Sequence, residues 1–237
     1  MKNLTIDVFC GSGSFGKVVR SFGYEVISLD NRRRAGVCEP TIKTDILKVP
    51  SSFFKSMNPK IMWFGLPCDI WSLASGGFHL DKNFNPKTEK AKIHLEILKK
   101  TMSIIEETDP DFFFIENPRG KLNKYPGLND FLLRTDSVIK ECTLSSYGFP
   151  TKKPTIIITN FKELQLKDLD TFGRGAKNKV HRAFDNLTKV QRQQTPQKLI
   201  RDIVNQVQKY QALYDKTPSS LTRNYPDHKE KSMLHFN

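Results

Sequence analysis

Cysteine is scarce in this chain. The four present, Cys10, Cys38, Cys68 and Cys142, are widely scattered, with no CxxC pair and no Cys/His cluster. That spacing argues against a zinc site or a disulfide framework, so no metal is expected and a reducing cytoplasm is. Long apolar runs are missing too: nothing approaches the about 18 consecutive apolar residues of a membrane span. Leu4-Thr-Ile-Asp-Val-Phe follows the first residues directly, without a basic stretch and a long apolar core. Neither a signal peptide nor a membrane partner is therefore expected. There is no internal repeat and no low-complexity tract, which sets aside solenoids and repeat arrays. Acidic residues are in deficit, 25 Asp and Glu against 38 Lys and Arg, for a net charge of +13. The imbalance is concentrated, with 17 basic and 7 acidic side chains in residues 119–201. Such a distribution favours a polyanionic partner facing the C-terminal half.

What is present is alternation. The 237 residues suffice for one α/β domain of ordinary size and a small appendage. Residues 4–9, 24–29, 61–65, 111–115, 138–145 and 154–160 read as strands, and Asp45 closes a further short segment. The spacing predicts a helix after the turn at residues 10–16, with Val18, Val19 and Phe22 on one face. It predicts a second over 92–107, with Ile93, Ile97, Leu98, Met102 and Ile105 at helical spacing. A third covers 196–210, through Leu199, Ile203, Val204 and Val207. Strands alternating with helices imply an α/β fold with a doubly wound, mainly parallel sheet. Residues 72–90 are polar, contain Gly76-Gly77, and read as a mobile loop. Residues 161–194 are polar and basic, and 216–237 lack an apolar pattern and are expected to be loosely ordered.

In a doubly wound sheet the ligand lies beyond the carboxyl ends of the strands, beside the first glycine-rich turn. Here that turn is Asp7-Val-Phe-Cys-Gly-Ser-Gly-Ser. Gly11 and Gly13 allow close backbone approach, and the start of the following helix favours a carboxylate or phosphate. Asp30, at the end of the second strand, has the position that accepts ribose hydroxyl hydrogen bonds, with a helix cap as its alternative role. Asp45 suits an adenine amino group, or simple turn formation. Gly11-Ser-Gly-Ser-Phe-Gly16 formally satisfies the dinucleotide pattern G-x-G-x-x-G. Asp7-x-Phe9-x-Gly11-x-Gly13 is instead the pattern of S-adenosylmethionine sites. A dehydrogenase would leave two further residues without a role, and they favour the methyl donor.

Those residues are Cys68 and Glu116. The run Ile61-Met-Trp-Phe-Gly-Leu-Pro-Cys delivers a thiol to the tip of one strand, and Ile115-Glu-Asn-Pro ends another in a carboxylate and a proline. A thiol and a carboxylate so placed suit adding a nucleophile to a ring while protonating that ring. Methylation of cytosine at carbon 5 needs this chemistry, because that carbon is not nucleophilic until a thiolate adds at carbon 6.

Further stretches extend the pattern: Gly65-Leu-Pro-Cys-Asp-Ile-Trp-Ser72, Phe114-Ile-Glu-Asn-Pro-Arg-Gly120 and Tyr147-Gly-Phe-Pro-Thr-Lys-Lys-Pro-Thr155 ending at Thr159-Asn160. Arg174-Gly-Ala-Lys177 and Arg192-Gln-Gln-Thr-Pro-Gln-Lys-Leu199 follow. In these residues, in one order from about residue 5 to about residue 205, the chain resembles the DNA (cytosine-5) methyltransferases, most closely the short phage- and prophage-type members. The resemblance implies Cys68 as nucleophile and Glu116 as the acid at cytosine N3, with Asn117 and Pro118 shaping the turn that holds it. Lys153 and Thr155 stand where larger relatives carry two arginines, and phage-type members show a similar Lys-Pro-Thr; Lys153 joins the catalytic candidates. S-adenosylmethionine is the implied cofactor, held by Phe9, Gly11, Gly13, Asp30, Asp45 and Pro67. DNA is the implied partner, with the target base flipped out of the stack and residues 72–90 closing over it. Ser72, Arg119 and Lys152 are candidate DNA contacts. So is the run Thr171-Phe-Gly-Arg-Gly-Ala-Lys-Asn-Lys-Val-His-Arg182, through Arg174, Lys177, Lys179 and Arg182.

The expected divisions are a catalytic, cofactor-binding domain at 1–160, a short recognition region at 161–194, a helix at 195–215 packing back on the catalytic domain, and the tail at 216–237. An RNA (transfer RNA) cytosine methyltransferase and a catalytically inactive DNA-binding relative remain the alternatives. The expected setting is the cytoplasm of a bacterial or phage-infected cell, with a cognate restriction nuclease as partner or with none.

Overall fold

The computed structural model describes residues 3–32, 38–167 and 187–214. The expectations for Arg174, Lys177, Lys179, Arg182 and the tail lie outside the described residues. Seven strands form one sheet: β1 (Leu4–Val8), β2 (Glu25–Asp30), β3 (Ile42–Lys43), β4 (Ile61–Gly65), β5 (Phe112–Pro118), β6 (Val138–Thr143) and β7 (Pro154–Thr159). Their order is β3-β2-β1-β4-β5-β7-β6. The first five run parallel, and β7 runs antiparallel to both β5 and β6. The sheet is thus doubly wound and mainly parallel, as the alternation of strands and helices implies.

The central strands are apolar on both faces because helices cover both sides. Successive side chains of a strand point to opposite faces, and the two cores follow that rule. Met62 and Phe64 of β4, with Phe113 and Ile115 of β5, pack toward α2 (Ser51–Met57), α3 (Glu89–Thr108) and α4 (Pro126–Arg134). Ile61, Trp63, Phe112 and Phe114 face the opposite side. There they meet Phe15, Val18 and Val19 of α1 (Ser14–Arg20) and the apolar face of the long C-terminal helix. That helix, α6 (Gln197–Tyr214), follows the short α5 (Lys189–Gln193) and buries Leu199, Ile200, Ile203, Val204 and Val207. Each such side chain contributes roughly 1.5–3 kcal/mol of gross burial energy, so a single Ile203→Ala exchange is expected to cost about 2–5 kcal/mol.

One expectation needs correction. Ile93 does not share the inward face of α3: it is 48% exposed, whereas His94, Leu98, Thr101 and Ile105 are buried. The buried stripe passes one residue away from it. Within the loop at residues 72–90, several contacts tie the chain to itself and to the core. Leu80 is sunk in the core and pairs with Pro86. Asp81 accepts hydrogen bonds from the backbone N–H groups of Asn83 and Asn85, both at 2.8 Å. Thr88 then caps α3, its hydroxyl accepting from the Ala91 N–H at 3.2 Å. Among the described residues no helix is long and apolar enough to cross a membrane, and no cluster of His, Cys, Asp or Glu could hold a metal ion.

Candidate active site

Sheet register places the reacting groups. Gly65, the last residue of β4, pairs with Glu116 of β5. Cys68 follows three residues later, so it rises beside that carboxyl at the carboxyl edge of the sheet. Because β7 is antiparallel, its first residues reach the same edge, with Thr155 opposite Pro118. Lys152 and Lys153 are delivered there by the one strand that runs the other way. The ends of β1 and β2 complete the rim. Together they enclose a cleft of about 1040 Å³ whose walls include Phe9, Gly11, Asp30, Asp45, Pro67, Cys68, Ser72, Glu116, Arg119, Lys152 and Lys153. Two of the proposed site residues, Gly13 and Asn117, are not among its walls.

On the β1–β2 side the backbone is bent for close approach. Phe9 has φ 58°, a left-handed conformation unusual for a side-chain-bearing residue. A Cβ on Gly65 would lie 3.1 Å from the Phe9 carbonyl oxygen, which explains the glycine at the end of β4. Gly13 has φ 68°, and a Cβ there would meet the Cys38 sulfur at 2.9 Å, so conformation and packing both favour glycine at this position. Asp30 ties the turn to β2: one carboxylate oxygen accepts from the Gly11 N–H and the other from the Arg32 N–H, each at 3.0 Å. Asp45 caps a short 3₁₀ turn, accepting from the Leu47 N–H at 3.0 Å while still lining the cleft. Beneath the turn, Asp7 is fully buried and accepts from the Gly16 N–H at 3.2 Å. Burial raises its carboxyl to about 7, against the opposing pull of that N–H and of Arg20.

On the β4–β5 side, burial pushes the Cys68 thiol up; Glu116 and Asp69 push the same way, and Lys153 opposes them. Glu116 is itself buried, and burial raises its carboxyl against the lowering effect of Lys153. Its Oε1 has no hydrogen-bond partner among the described residues. Burial thus favours the protonated form of this carboxyl, and its unpartnered oxygen is free to meet a ligand. Asn117 braces the site from behind, its side-chain N–H donating to the Leu66 carbonyl at 3.0 Å. The Cys68 carbonyl accepts from the N–H groups of Trp71 and Ser72, both at 3.0 Å. That loop is pinned to the segment after β5, where Ser72 bridges Gly120 and the Lys121 N–H donates to the Trp71 carbonyl at 2.7 Å. Only glycine fits at position 120, because a Cβ would overlap the Trp71 carbonyl.

Of the two positions after the Tyr147-Gly pair, only Lys153 reaches the cleft. Its ammonium donates to the Arg192 carbonyl at 3.3 Å, while Thr155 is buried and donates to the Lys153 carbonyl at 3.2 Å. Arg119 pairs with Glu141 at 3.2 Å on the partly exposed rim, and Ser72 caps the 3₁₀ turn Leu73–Ser75. Sequence reasoning missed Asp7 as a titrating group, together with His94, Trp63, Arg192, Gln193 and Thr195 as walls. Arg192 and Thr195 stand inside the motif-like stretch at residues 192–199; His94 lies inside a predicted helix and carries no signal of its own.

The sheet with its flanking helices is similar in fold to a solved methyltransferase. No protein-family profile matches the chain, and neither does any curated protein sequence. Among solved structures, the methyltransferase EhMeth of Entamoeba histolytica is similar with a TM-score of 0.51 at 13% identity, over 71% of this chain and 56% of that one. A mutant DNMT2 of Spodoptera frugiperda gives 0.48 at 17% identity, over 71% and 54%. A putative DNA modification methyltransferase encoded within an E. coli prophage gives 0.47 at 19%, over 69% and 49%. The matches thus span about half the length of those chains. At such identities the likeness is one of fold.

Proposed function

We propose that this protein is an S-adenosylmethionine-dependent methyltransferase acting on carbon 5 of cytosine in DNA. The observation that carries the reading is the buried Glu116 carboxyl, with one oxygen unpartnered among the described residues, paired in register with Gly65 and lining the same cleft as Cys68. The walls near β1 and β2 fit the methyl donor. Each Asp30 oxygen accepts one N–H bond and keeps a lone pair for a ribose hydroxyl, and Phe9, Ile46 and Pro67 offer apolar surface to a base. When bound, S-adenosylmethionine supplies an electrophilic methyl group. Cys68 forms a bond to C6 of a flipped-out cytosine while Glu116 gives its proton to N3, which makes C5 nucleophilic. Lys153 favours the thiolate that this step requires. After methylation, loss of the C5 proton to a solvent base breaks the Cys68–C6 bond and releases the thiolate, and N3 returns its proton to Glu116. Arg119, Lys152 and Ser72 on the rim, with the basic run around Arg174, Lys177, Lys179 and Arg182, are the groups for the nucleic-acid backbone.

The test is a duplex carrying 5-fluorocytosine, assayed beside transfer RNA carrying the same base. A covalent adduct mapped to Cys68 by peptide mass spectrometry is expected on the duplex, because fluorine cannot leave as a proton does. Cys68→Ser is expected to abolish transfer with donor binding nearly unchanged. Transfer confined to RNA would move the substrate. A folded, donor-binding protein that never forms an adduct on either would sink the assignment of Cys68. Bisulfite sequencing of DNA from expressing cells reads the target site directly.

A further inference from the structure

Two of the four cysteines meet in the folded chain. Cys10 follows β1 and lines the cleft, and Cys38 lies 28 residues further on, ahead of β3. Both are free thiols, and their sulfurs are 3.6 Å apart. The Cys10 backbone is fixed on both sides: its N–H donates to the Leu29 carbonyl at 3.1 Å, and its carbonyl accepts from the Gly13 N–H at 2.7 Å. Gly13 makes the meeting possible, since a Cβ there would crowd the Cys38 sulfur at 2.9 Å. The pair thus belongs to the turn whose Gly11 N–H is bonded to Asp30.

We propose that Cys10 and Cys38 are a redox-modification site: peroxide joins them in a reversible disulfide, and the bond distorts the glycine turn and weakens its hold on the methyl donor. Cys38 is half-buried and Cys10 is buried, so Cys38 is the sulfur that meets the oxidant. Burial most of all, with Asp7 and Cys38 adding to it, pushes the Cys10 thiol up, which keeps it protonated and out of the first step. Hydrogen peroxide oxidises the Cys38 thiol to a sulfenic acid and leaves as water. The Cys10 sulfur then attacks the Cys38 sulfur, and the sulfenic hydroxyl departs with the Cys10 proton as a second water. Two thiols and one peroxide become one disulfide and two waters, the two electrons passing from sulfur to the peroxide oxygens. A disulfide needs about 2.05 Å between sulfurs, so the gap of 3.6 Å must close by about 1.5 Å. The Cys38 sulfur already rests against Gly13, and Cys10 is bonded at both its amide and its carbonyl, so the turn takes part of that movement. Transient disulfides of this kind are compatible with a reducing compartment, where thiols return once the oxidant is gone.

The effect on the donor rests on the proposed function; the formation of the disulfide does not. The full chain is treated with hydrogen peroxide, its remaining thiols are alkylated, and linked peptides are mapped by mass spectrometry without reductant. A Cys10–Cys38 linkage that dithiothreitol reverses is expected. The Gly11 and Gly13 amides, now bonded to Asp30 and to the Cys10 carbonyl, should exchange hydrogen faster in the linked protein. Calorimetry should show S-adenosylmethionine binding weakened by about tenfold, the loss of one hydrogen bond to a charged group, and restored by dithiothreitol. Cys38→Ser, which keeps Cys68 and so controls for its oxidation, should bind the donor within about twofold of reduced wild type and respond to peroxide in neither readout. Oxidation that never links Cys10 to Cys38 would overturn the proposal. So would a linked protein with unchanged exchange and affinity, or a Cys38→Ser variant that loses affinity under peroxide as the wild type does. If even the reduced wild type binds no S-adenosylmethionine, the donor site of the proposed function has failed, and linkage and exchange alone decide the modification site.

Discussion

Asp7 lies on β1 under the glycine turn, and its ionisation couples stability to pH. Its carboxyl sits at about 7 instead of 3.8, mainly because it is buried. Between those values the folded chain keeps a proton that the unfolded chain has lost. The native state therefore binds more protons, and stability falls as pH rises. The loss begins near pH 4 and is complete by about pH 8, and the shift corresponds to about 4 kcal/mol. Asp7→Asn preserves shape, and its side-chain oxygen can still accept from the Gly16 N–H now held at 3.2 Å. It cannot ionise. Other titrating groups are common to both proteins, so the difference in unfolding free energy isolates this one carboxyl. In urea titrations the variant is expected to gain on wild type by about 3 kcal/mol between about pH 5 and about pH 8. A difference that stays constant over that range would refute the reasoning and show that Asp7 is not held protonated.

Glu116→Gln keeps the volume beside Cys68 but removes the transferable proton, so adduct formation on a 5-fluorocytosine duplex should slow by about 10²- to 10⁴-fold. Single-turnover rates at wild-type level would remove Glu116 from the chemistry. Asp30→Ala is expected to weaken S-adenosylmethionine binding by about 1–3 kcal/mol, and calorimetry showing unchanged affinity in a folded variant would place the ribose contact elsewhere. Neutralising Arg174, Lys177, Lys179 and Arg182 together should flatten the dependence of DNA affinity on salt, by about 0.9 in the log–log slope for each phosphate that is no longer paired with a cation. All sequences should weaken about equally. An unchanged slope would locate recognition in another part of the chain.

The strands were legible because a parallel sheet covered on both faces writes itself as short apolar runs, and Ile61–Gly65 and Phe112–Pro118 are such runs. The direction of β7 was not legible, since an alternating or apolar run reads the same either way. Yet that direction is what brings Lys153 to the cleft. Helices α2 and α4, of seven and nine residues, are too short to show a 3.6-residue period and, unlike the equally short α1, have no glycine-rich turn before them to mark a start. In the site, Cys68 and Glu116 stood out as polar residues ending apolar strands. Gly13 carried the right spacing but answers to Cys38, and Asn117 answers to Leu66. The elevated carboxyl of Asp7 and the burial of His94 at the cleft arise from contacts between distant elements, which no local pattern encodes.

The reversed strand also decides where the proposed recognition region is attached. β7 runs away from the cleft, so the chain leaves the sheet at its far edge, where Phe161 and Leu164 are buried beside α6. There Gln165 and Gln206 exchange hydrogen bonds at 2.9 and 2.8 Å, and the Lys167 N–H donates to the Tyr147 hydroxyl at 2.7 Å. The chain is held again from Leu187 onward. Arg192 donates to the Leu187 carbonyl at 2.9 Å, and α5 begins in a capping box of Thr188 and Gln191. The stretch between these points thus joins two moorings, and the second touches the cleft, where the Arg192 carbonyl accepts from Lys153. Doubling the length of such an insert costs only about 0.6 kcal/mol in closure entropy. Under the proposed function, an insert at this place could lengthen at little entropic cost, with its return through Arg192 the point where it meets the catalytic edge.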